Sequence, residues 1–251
     1  MAAHRPTLNV RRTAVSNFDT YIICSTPRTG STLLCELLAS SGVAGNPHSY
    51  FRSEDIDRRA SQWGLRRGWR FDAYVEAVRV RTATPNGVLG LRIMWGTLDE
   101  ILHGLRSPGG VAGDRALLEA AFGSVRYVYL RRDDIVRQAI SLFKAEQSNY
   151  WHSTQSRSPS EVQYDHDEIA RRVDSLQNDN LAWNSWFEST GVEPLSTTYE
   201  ELDLDPMGTA ATVLRHLGLD ASGELSAPNE RLADETNQAW HARFLREAGD
   251  T

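Results

Sequence analysis

Cysteine is scarce in this chain: there are two, Cys24 and Cys35. That excludes a disulfide framework, and no Cys/His cluster has the spacing of a metal site. Both fall in stretches that read as core strand and core helix, where a free thiol behaves as a small hydrophobe. Long apolar runs are also missing. None approaches the ~20 residues that a membrane helix needs, and residues 1–15 are polar and basic, without a secretory apolar stretch. The expectation is a cytoplasmic protein with no membrane span. Net positive charge is absent too: the formal net charge is -6 and the pI about 5.7. That balance excludes a general binder of nucleic acid or anionic membrane. Any anion site must be local, made by a few arginines.

What is present is a chain of 251 residues, 40% hydrophobic. It can bury a sizeable core and fits one domain over residues 1–251 better than two. Strand-like runs lie at Tyr21–Ser25, Val88–Trp95, Val125–Arg131 and Pro194–Tyr199. Helical patterns lie at Ser31–Ser40, Phe71–Arg81, Leu98–Leu105, Asp114–Phe122, Asp134–Glu146, Asp167–Glu188 and Pro206–Leu217. Strands alternating with helices predict an α/β fold, a parallel sheet flanked by helices. Gly104–Gly113 and Ser148–Tyr164 read as polar loops, the second a lid or substrate loop or a plain excursion. The tail, Asn229–Thr251, reads as a closing helix with Trp240 and Phe244 on one face.

The most informative stretch runs from Tyr21 to Glu36. A buried strand is followed by Pro27-Arg28-Thr29-Gly30, and then by a helix opened by Ser31 and Thr32. The first N–H groups of such a helix have no helical partner, and its dipole adds partial positive charge. Gly30 admits close approach of a ligand, Arg28 adds a full charge, and the two hydroxyls add donors. A nucleotide-triphosphatase loop needs Gly-x-x-x-x-Gly-Lys-[Ser/Thr]. Here Ser25 stands at the first glycine and Ser31 at the lysine.

A second strand, Val125–Leu130, leads into Arg131-Arg132-Asp133-Asp134 and a helix carrying Arg137 and Ser141. Two anion sites at two strand-to-helix junctions would share the carboxyl edge of a parallel sheet, where open α/β sheets bind ligands. Glu36 interrupts the apolar first helix. At 100° per residue it falls off the leucine face, one turn after Thr32, and its side chain leans toward the loop. A carboxylate there would repel the loop's anion unless a substrate hydroxyl lay between them and gave Glu36 its proton. His48 is a rival base. Trp63, Trp69, Trp151 and Trp183 could stack on a sugar or simply fill the core.

Pro27–Thr32 resembles the 5′-phosphosulfate loop of sulfotransferases, Pro-[Lys/Arg]-[Ser/Thr]-Gly-[Ser/Thr]-[Ser/Thr], which use 3′-phosphoadenosine 5′-phosphosulfate (PAPS). Tyr199-Glu200-Glu201-Leu202 resembles a later motif of theirs, whose tyrosine borders the adenine. The whole chain is similar to the bacterial Stf-type sulfotransferases, through residues 25–36, 46–55 and 231–237. The resemblance implies a P-loop-like sulfotransferase fold. It implies that Arg28, Thr29, Gly30, Ser31 and Thr32 hold the 5′-phosphosulfate. Arg132 and Ser141 would hold the 3′-phosphate, with Arg131 the alternative to Arg132. The family proline after that arginine is missing, and Ser141 stands one residue later than usual. Glu36 matches the catalytic glutamate of heparan-type carbohydrate sulfotransferases, six residues after the loop glycine. Pro47, His48, Ser53 and Arg92 are placed at the acceptor. The resemblance further implies transfer to the 2-hydroxyl of trehalose in sulfolipid synthesis, by a homodimer and without a metal. Two other readings are a P-loop kinase and a non-catalytic nucleotide sensor. The absent loop lysine counts against the first, and Glu36 against the second.

Overall fold

A computed structural model describes residues 17–106, 110, 113–148, 162–226 and 235–249. Four parallel strands form one sheet in the order β2-β1-β3-β4. They are β1 (Thr20–Ser25), β2 (Leu89–Met94), β3 (Val125–Arg131) and β4 (Leu195–Thr198). The helices among the described residues are α1 (Ser31–Ser40), α2 (Ser53–Gln62), α3 (Phe71–Thr82), α4 (Trp95–Leu105), α5 (Asp114–Phe122), α6 (Ile135–Ser148), α7 (His166–Thr190), α8 (Tyr199–Leu204), α9 (Pro206–His216) and α10 (Glu235–Gly249).

β1 is buried along its whole length, because it is central and both its faces are covered. Its alternate residues feed two cores. Ile22 and Cys24 join Leu91, Ile93, Tyr129 and the aromatics of α3, α5 and α7 on one face. Tyr21 and Ile23 join Leu34, Leu37 and Leu38 of α1 and Val213 and Leu214 of α9 on the other. Ser25 is in register with Met94 and Leu130. The loops after β1 and β3 therefore leave the same carboxyl edge side by side.

The expected strands all form, with no end moved by more than one residue, and at two carboxyl ends the displaced residue starts a helix. Trp95 starts α4 rather than ending β2, its ring edge-on to Trp183 at 5.1 Å. Tyr199 starts α8 rather than ending β4. There Thr198 and Glu201 make a capping box, a Thr-x-x-Glu signature that outweighs the strand propensity of the threonines and tyrosine. α2 is an addition: Ile56 and Ala60 are its only apolar residues, too few to mark a core-facing helix in so polar a stretch. Pro206 opens α9, and Gly218 follows its end with φ 67°. Trp240 and Phe244 of α10 pack on Ala139, Ile140 and Phe143 of α6. Residues 149–161 of the expected lid, Trp151 among them, lie outside the described residues, as do 107–109, 111–112 and the start of the tail.

The amino edge of the sheet is closed by arginines. Arg126 donates to the carbonyl of His216 at the end of α9 (2.8 Å), and Arg79 to that of Ala121 in α5 (3.2 Å). Each satisfies a carbonyl that its helix leaves unpaired. A cavity of about 400 Å³ beside them, lined by Arg115, Arg126, Tyr127 and Glu193, opens at that edge, far from the loop after β1.

Candidate active site

The turn between β1 and α1 is built so that its carbonyls face the protein. The Ser25 carbonyl accepts from Trp183 Nε1 (3.1 Å), and the Thr26 carbonyl from Thr29 Oγ1 (3.1 Å). The Pro27 carbonyl accepts from Gln138 Nε2 (2.6 Å), and the Arg28 carbonyl from Arg132 (3.3 Å). A trans peptide points its N–H opposite to its carbonyl. Fixing the carbonyls of 27 and 28 inward thus turns the N–H groups of Arg28 and Thr29 outward. Arg28 has φ 67° and Gly30 φ 75°. Left-handed residues within a turn curl successive N–H groups into a concave nest for an anion. The N–H groups of Ser31, Thr32 and Leu33 extend it, since the first helical bond of α1 is Leu34 N–H to the Gly30 carbonyl. Gly30 is required twice over. Besides its φ, an added Cβ would lie 3.0 Å from Tyr199 Cδ2 and 3.2 Å from Leu202 Cδ2.

Two half-buried arginines stand at this nest. Arg28 Nε donates to Ser141 Oγ on α6 (3.0 Å). Arg132 lies over the Tyr199 ring, 4.0 Å from its centroid. Burial lowers the pKa of both, and Arg132 lowers that of Arg28 further by charge repulsion. Like charges held this close are relieved by an incoming anion. Arg92 of β2 reaches across α1: it donates to Thr32 Oγ1 (2.8 Å), Ser31 Oγ (3.4 Å) and Ser49 Oγ (2.9 Å). A hydroxyl that accepts from Arg92 keeps its own proton to donate elsewhere. Ser31 and Thr32 are thereby left as donors toward the nest.

The other residues singled out in the sequence fall as follows. Glu36 is half-buried on α1, one turn beyond Thr32. The Cys35 thiol, pushed up to about 11 chiefly by burial, feels the charges of both Arg92 and Glu36. His48 pairs with Leu91 at the edge of β2, and its Nδ1 lies 3.3 Å from Arg59. Pro47 packs where a Cβ at Gly90 would lie 2.9 Å away. The Thr29 hydroxyl is turned inward to Thr26, which leaves its N–H as what it can offer a ligand. Ser53 is exposed at the start of α2 and makes no hydrogen bond to the loop among the described residues. Arg131 is exposed and paired with Asp133, whereas Arg132 points to the loop. Trp183 is core, 1% exposed. Trp63 and Trp69 pack against Tyr74.

The second junction departs from expectation. The N–H groups of Asp133 and Asp134, before α6, donate to the Glu200 carboxylate at 3.1 and 3.3 Å. The backbone of that helix end is thus already taken by an acidic group. Anion-binding capacity there rests on the side chains of Arg132 and Ser141, which converge on Arg28. Gln138 carries no local signal, because it acts through contacts more than a hundred residues away. Trp183, a candidate for stacking on a sugar, instead serves the Ser25 carbonyl. Ser49 and Glu200 lie in stretches that carry the resemblance, but their contacts to Arg92 and to the start of α6 do not show in the local pattern. His, Cys, Asp and Glu form no group that could hold a metal among the described residues. No described helix is long and apolar enough to cross a membrane.

The family model of the Stf0 sulphotransferases matches residues 20–247. The trehalose 2-sulfotransferase of Mycobacterium tuberculosis is 27% identical over 253 residues, covering 91% of this chain and 95% of that protein. The trehalose 2-sulfotransferase of Mycolicibacterium smegmatis is 26% identical over 258 residues, with the same coverage. Among solved structures, a sulfotransferase from Alicyclobacillus acidocaldarius aligns over 91% of this chain and 92% of its own. It does so with a TM-score of 0.48 and 14% identity, too loose a likeness to bear on the site.

Proposed function

The chain belongs to the Stf0 sulphotransferase family, and from that premise we propose that it transfers a sulfuryl group from PAPS to the 2-hydroxyl of trehalose. The observation that carries the donor is the anion nest at residues 28–32, with its two half-buried arginines. A phosphosulfate suits the N–H groups of the nest and the Ser31 and Thr32 hydroxyls. A 3′-phosphate suits Arg132 and Ser141, with the Tyr199 ring beside them. Trehalose is supported by the two mycobacterial relatives, which span nearly the whole chain. In this reading Pro47, His48 and Ser53 approach the sugar. The same reading carries a homodimer, a cytoplasmic setting and a place at the start of sulfolipid synthesis.

The donor supplies an activated sulfuryl group. Glu36 takes the proton of the acceptor hydroxyl as its oxygen bonds to sulfur. The bond from sulfur to the bridging phosphate oxygen breaks, and its electron pair leaves with adenosine 3′,5′-bisphosphate. Arg28, Arg92 and the nest N–H groups stabilise the charge moving onto those oxygens, because they are held in place before the reaction. Incubation with PAPS and a panel of sugars, with NMR of the product, tests the proposal. Sulfate on the 2-position of trehalose is expected. A product sulfated elsewhere, or no trehalose product, would sink the acceptor assignment.

Two further outcomes are expected. Arg132→Ala and Ser141→Ala should each lower the preference for adenosine 3′,5′-bisphosphate over AMP, by about tenfold or more for the arginine. If both variants discriminate as well as the native chain does, the 3′-phosphate sits elsewhere. Activity should also survive EDTA, since the site's fixed cations are arginines. A magnesium requirement would point to kinase chemistry instead.

A further inference from the structure

Gln138 is a fully buried amide, 0% exposed, on the face of α6 that lies behind the loop. Its Nε2 donates to the Pro27 carbonyl at 2.6 Å and to Thr26 Oγ1 at 2.9 Å. Its Oε1 is equally buried and has no hydrogen-bond partner among the described residues. An amide satisfied at one end only is a poor stabiliser. An unpaired buried acceptor carries a desolvation penalty that an apolar side chain of similar size avoids. What the residue contributes therefore lies at Nε2, and both of its donors go to the loop.

Those donors fall at the point of most leverage. Pro27 has a fixed φ, and the Pro27–Arg28 peptide offers only the Pro27 carbonyl and the Arg28 N–H, so with that N–H turned to the nest the carbonyl is the group by which the peptide can be held. Holding that carbonyl toward α6 turns the Arg28 N–H away from α6, into the nest. The next residue is Arg28 itself, at φ 67°. A non-glycine residue keeps such a conformation only where its surroundings over-determine it. Ser141, one turn after Gln138 on the same helix, takes the Arg28 side chain. α6 thus grips the loop at two points, one on the backbone and one on the guanidinium.

We propose that Gln138 is a positioning residue that sets the Pro27–Arg28 peptide so that the loop presents its N–H groups to the donor. It also ties the 5′-phosphosulfate nest to the helix that carries Ser141. The identity of the ligand rests on the sulfotransferase reading above; the positioning role rests on the contacts of Gln138.

The test is calorimetric titration of the full chain with adenosine 3′,5′-bisphosphate, beside thermal melts without ligand, for wild type, Gln138→Met and Gln138→Glu. Gln138→Met keeps the volume and removes both donors together with the orphan acceptor. It should bind tenfold to a hundredfold more weakly while melting close to wild type. Gln138→Glu sets a carboxylate against two acceptors, and burial raises its pKa. Once protonated it can donate one O–H to the Pro27 carbonyl. Its affinity, taken relative to wild type at each pH, should recover as the pH falls, and that of Gln138→Met should not. Unchanged binding by Gln138→Met, with normal wild-type binding, overturns this role alone. So does a Gln138→Glu affinity that keeps a constant ratio to wild type across pH. Failure of the wild type to bind the bisphosphate overturns both the role and the donor assignment.

Discussion

Glu36→Gln should lower kcat with trehalose and PAPS by about 10²–10⁴-fold, the range general-base catalysis typically supplies. Affinity for adenosine 3′,5′-bisphosphate should stay near wild type. The substitution keeps the size of the side chain and one hydrogen bond, and removes the ability to accept a full proton. The acceptor hydroxyl becomes more acidic as its oxygen bonds to sulfur, so the base acts late in that approach. Glu36 is half-buried, one turn past Thr32, and side chains on a helix lean toward its N-terminus. Here that direction is toward the nest. Single-turnover measurement with enzyme in excess separates chemistry from product release. Near-normal turnover in Glu36→Gln would move the base to His48.

Arg28→Ala should weaken donor binding by about 1.5–3 kcal/mol, the range for hydrogen bonds to charged groups. That corresponds to roughly ten- to 150-fold in Kd. The native protein holds this guanidinium at a cost: burial and the neighbouring Arg132 both disfavour its charge. That cost is recovered when an anion arrives, so its removal should fall on binding rather than on folding. Arg28→Gly is the informative companion. It also lacks the cation, yet it adopts φ 67° without strain. If the guanidinium carries the effect, both variants bind weakly and Arg28→Gly melts no lower than Arg28→Ala. Donor affinity unchanged in both, measured by calorimetry with adenosine 3′,5′-bisphosphate, would remove Arg28 from the donor site.

Much of the candidate site was legible because its chemistry is local. An anion nest needs a strand end, a glycine and a helix start within about ten residues, and Tyr21–Glu36 shows all three. The placing of Glu36 one turn past Thr32 followed from helix geometry alone. Arg131 and Arg132 are alike to the local pattern. Both stand at the same strand end, and only the packed structure separates the one paired with Asp133 in solvent from the one over Tyr199. α2 escaped because a helix with only Ile56 and Ala60 as apolar residues reads as a polar loop.

The sequence by itself determined the alternation of strands and helices apart from α2, the turn between β1 and α1, and the position of Glu36 one turn after Thr32. Each of these is encoded in contiguous residues through periodicity, capping and turn chemistry. Tertiary structure decided what stands behind the loop. Trp183, Gln138 and Arg132 come from two helices and a strand end more than a hundred residues on, and each holds one loop carbonyl. It also decided that Glu200 fills the start of α6 and that Arg92 secures Ser31 and Thr32. Hydrogen bonds between distant segments leave no mark on the local pattern of either. They exist only once β1, β2 and β3 lie in register and bring their loops to one edge of the sheet.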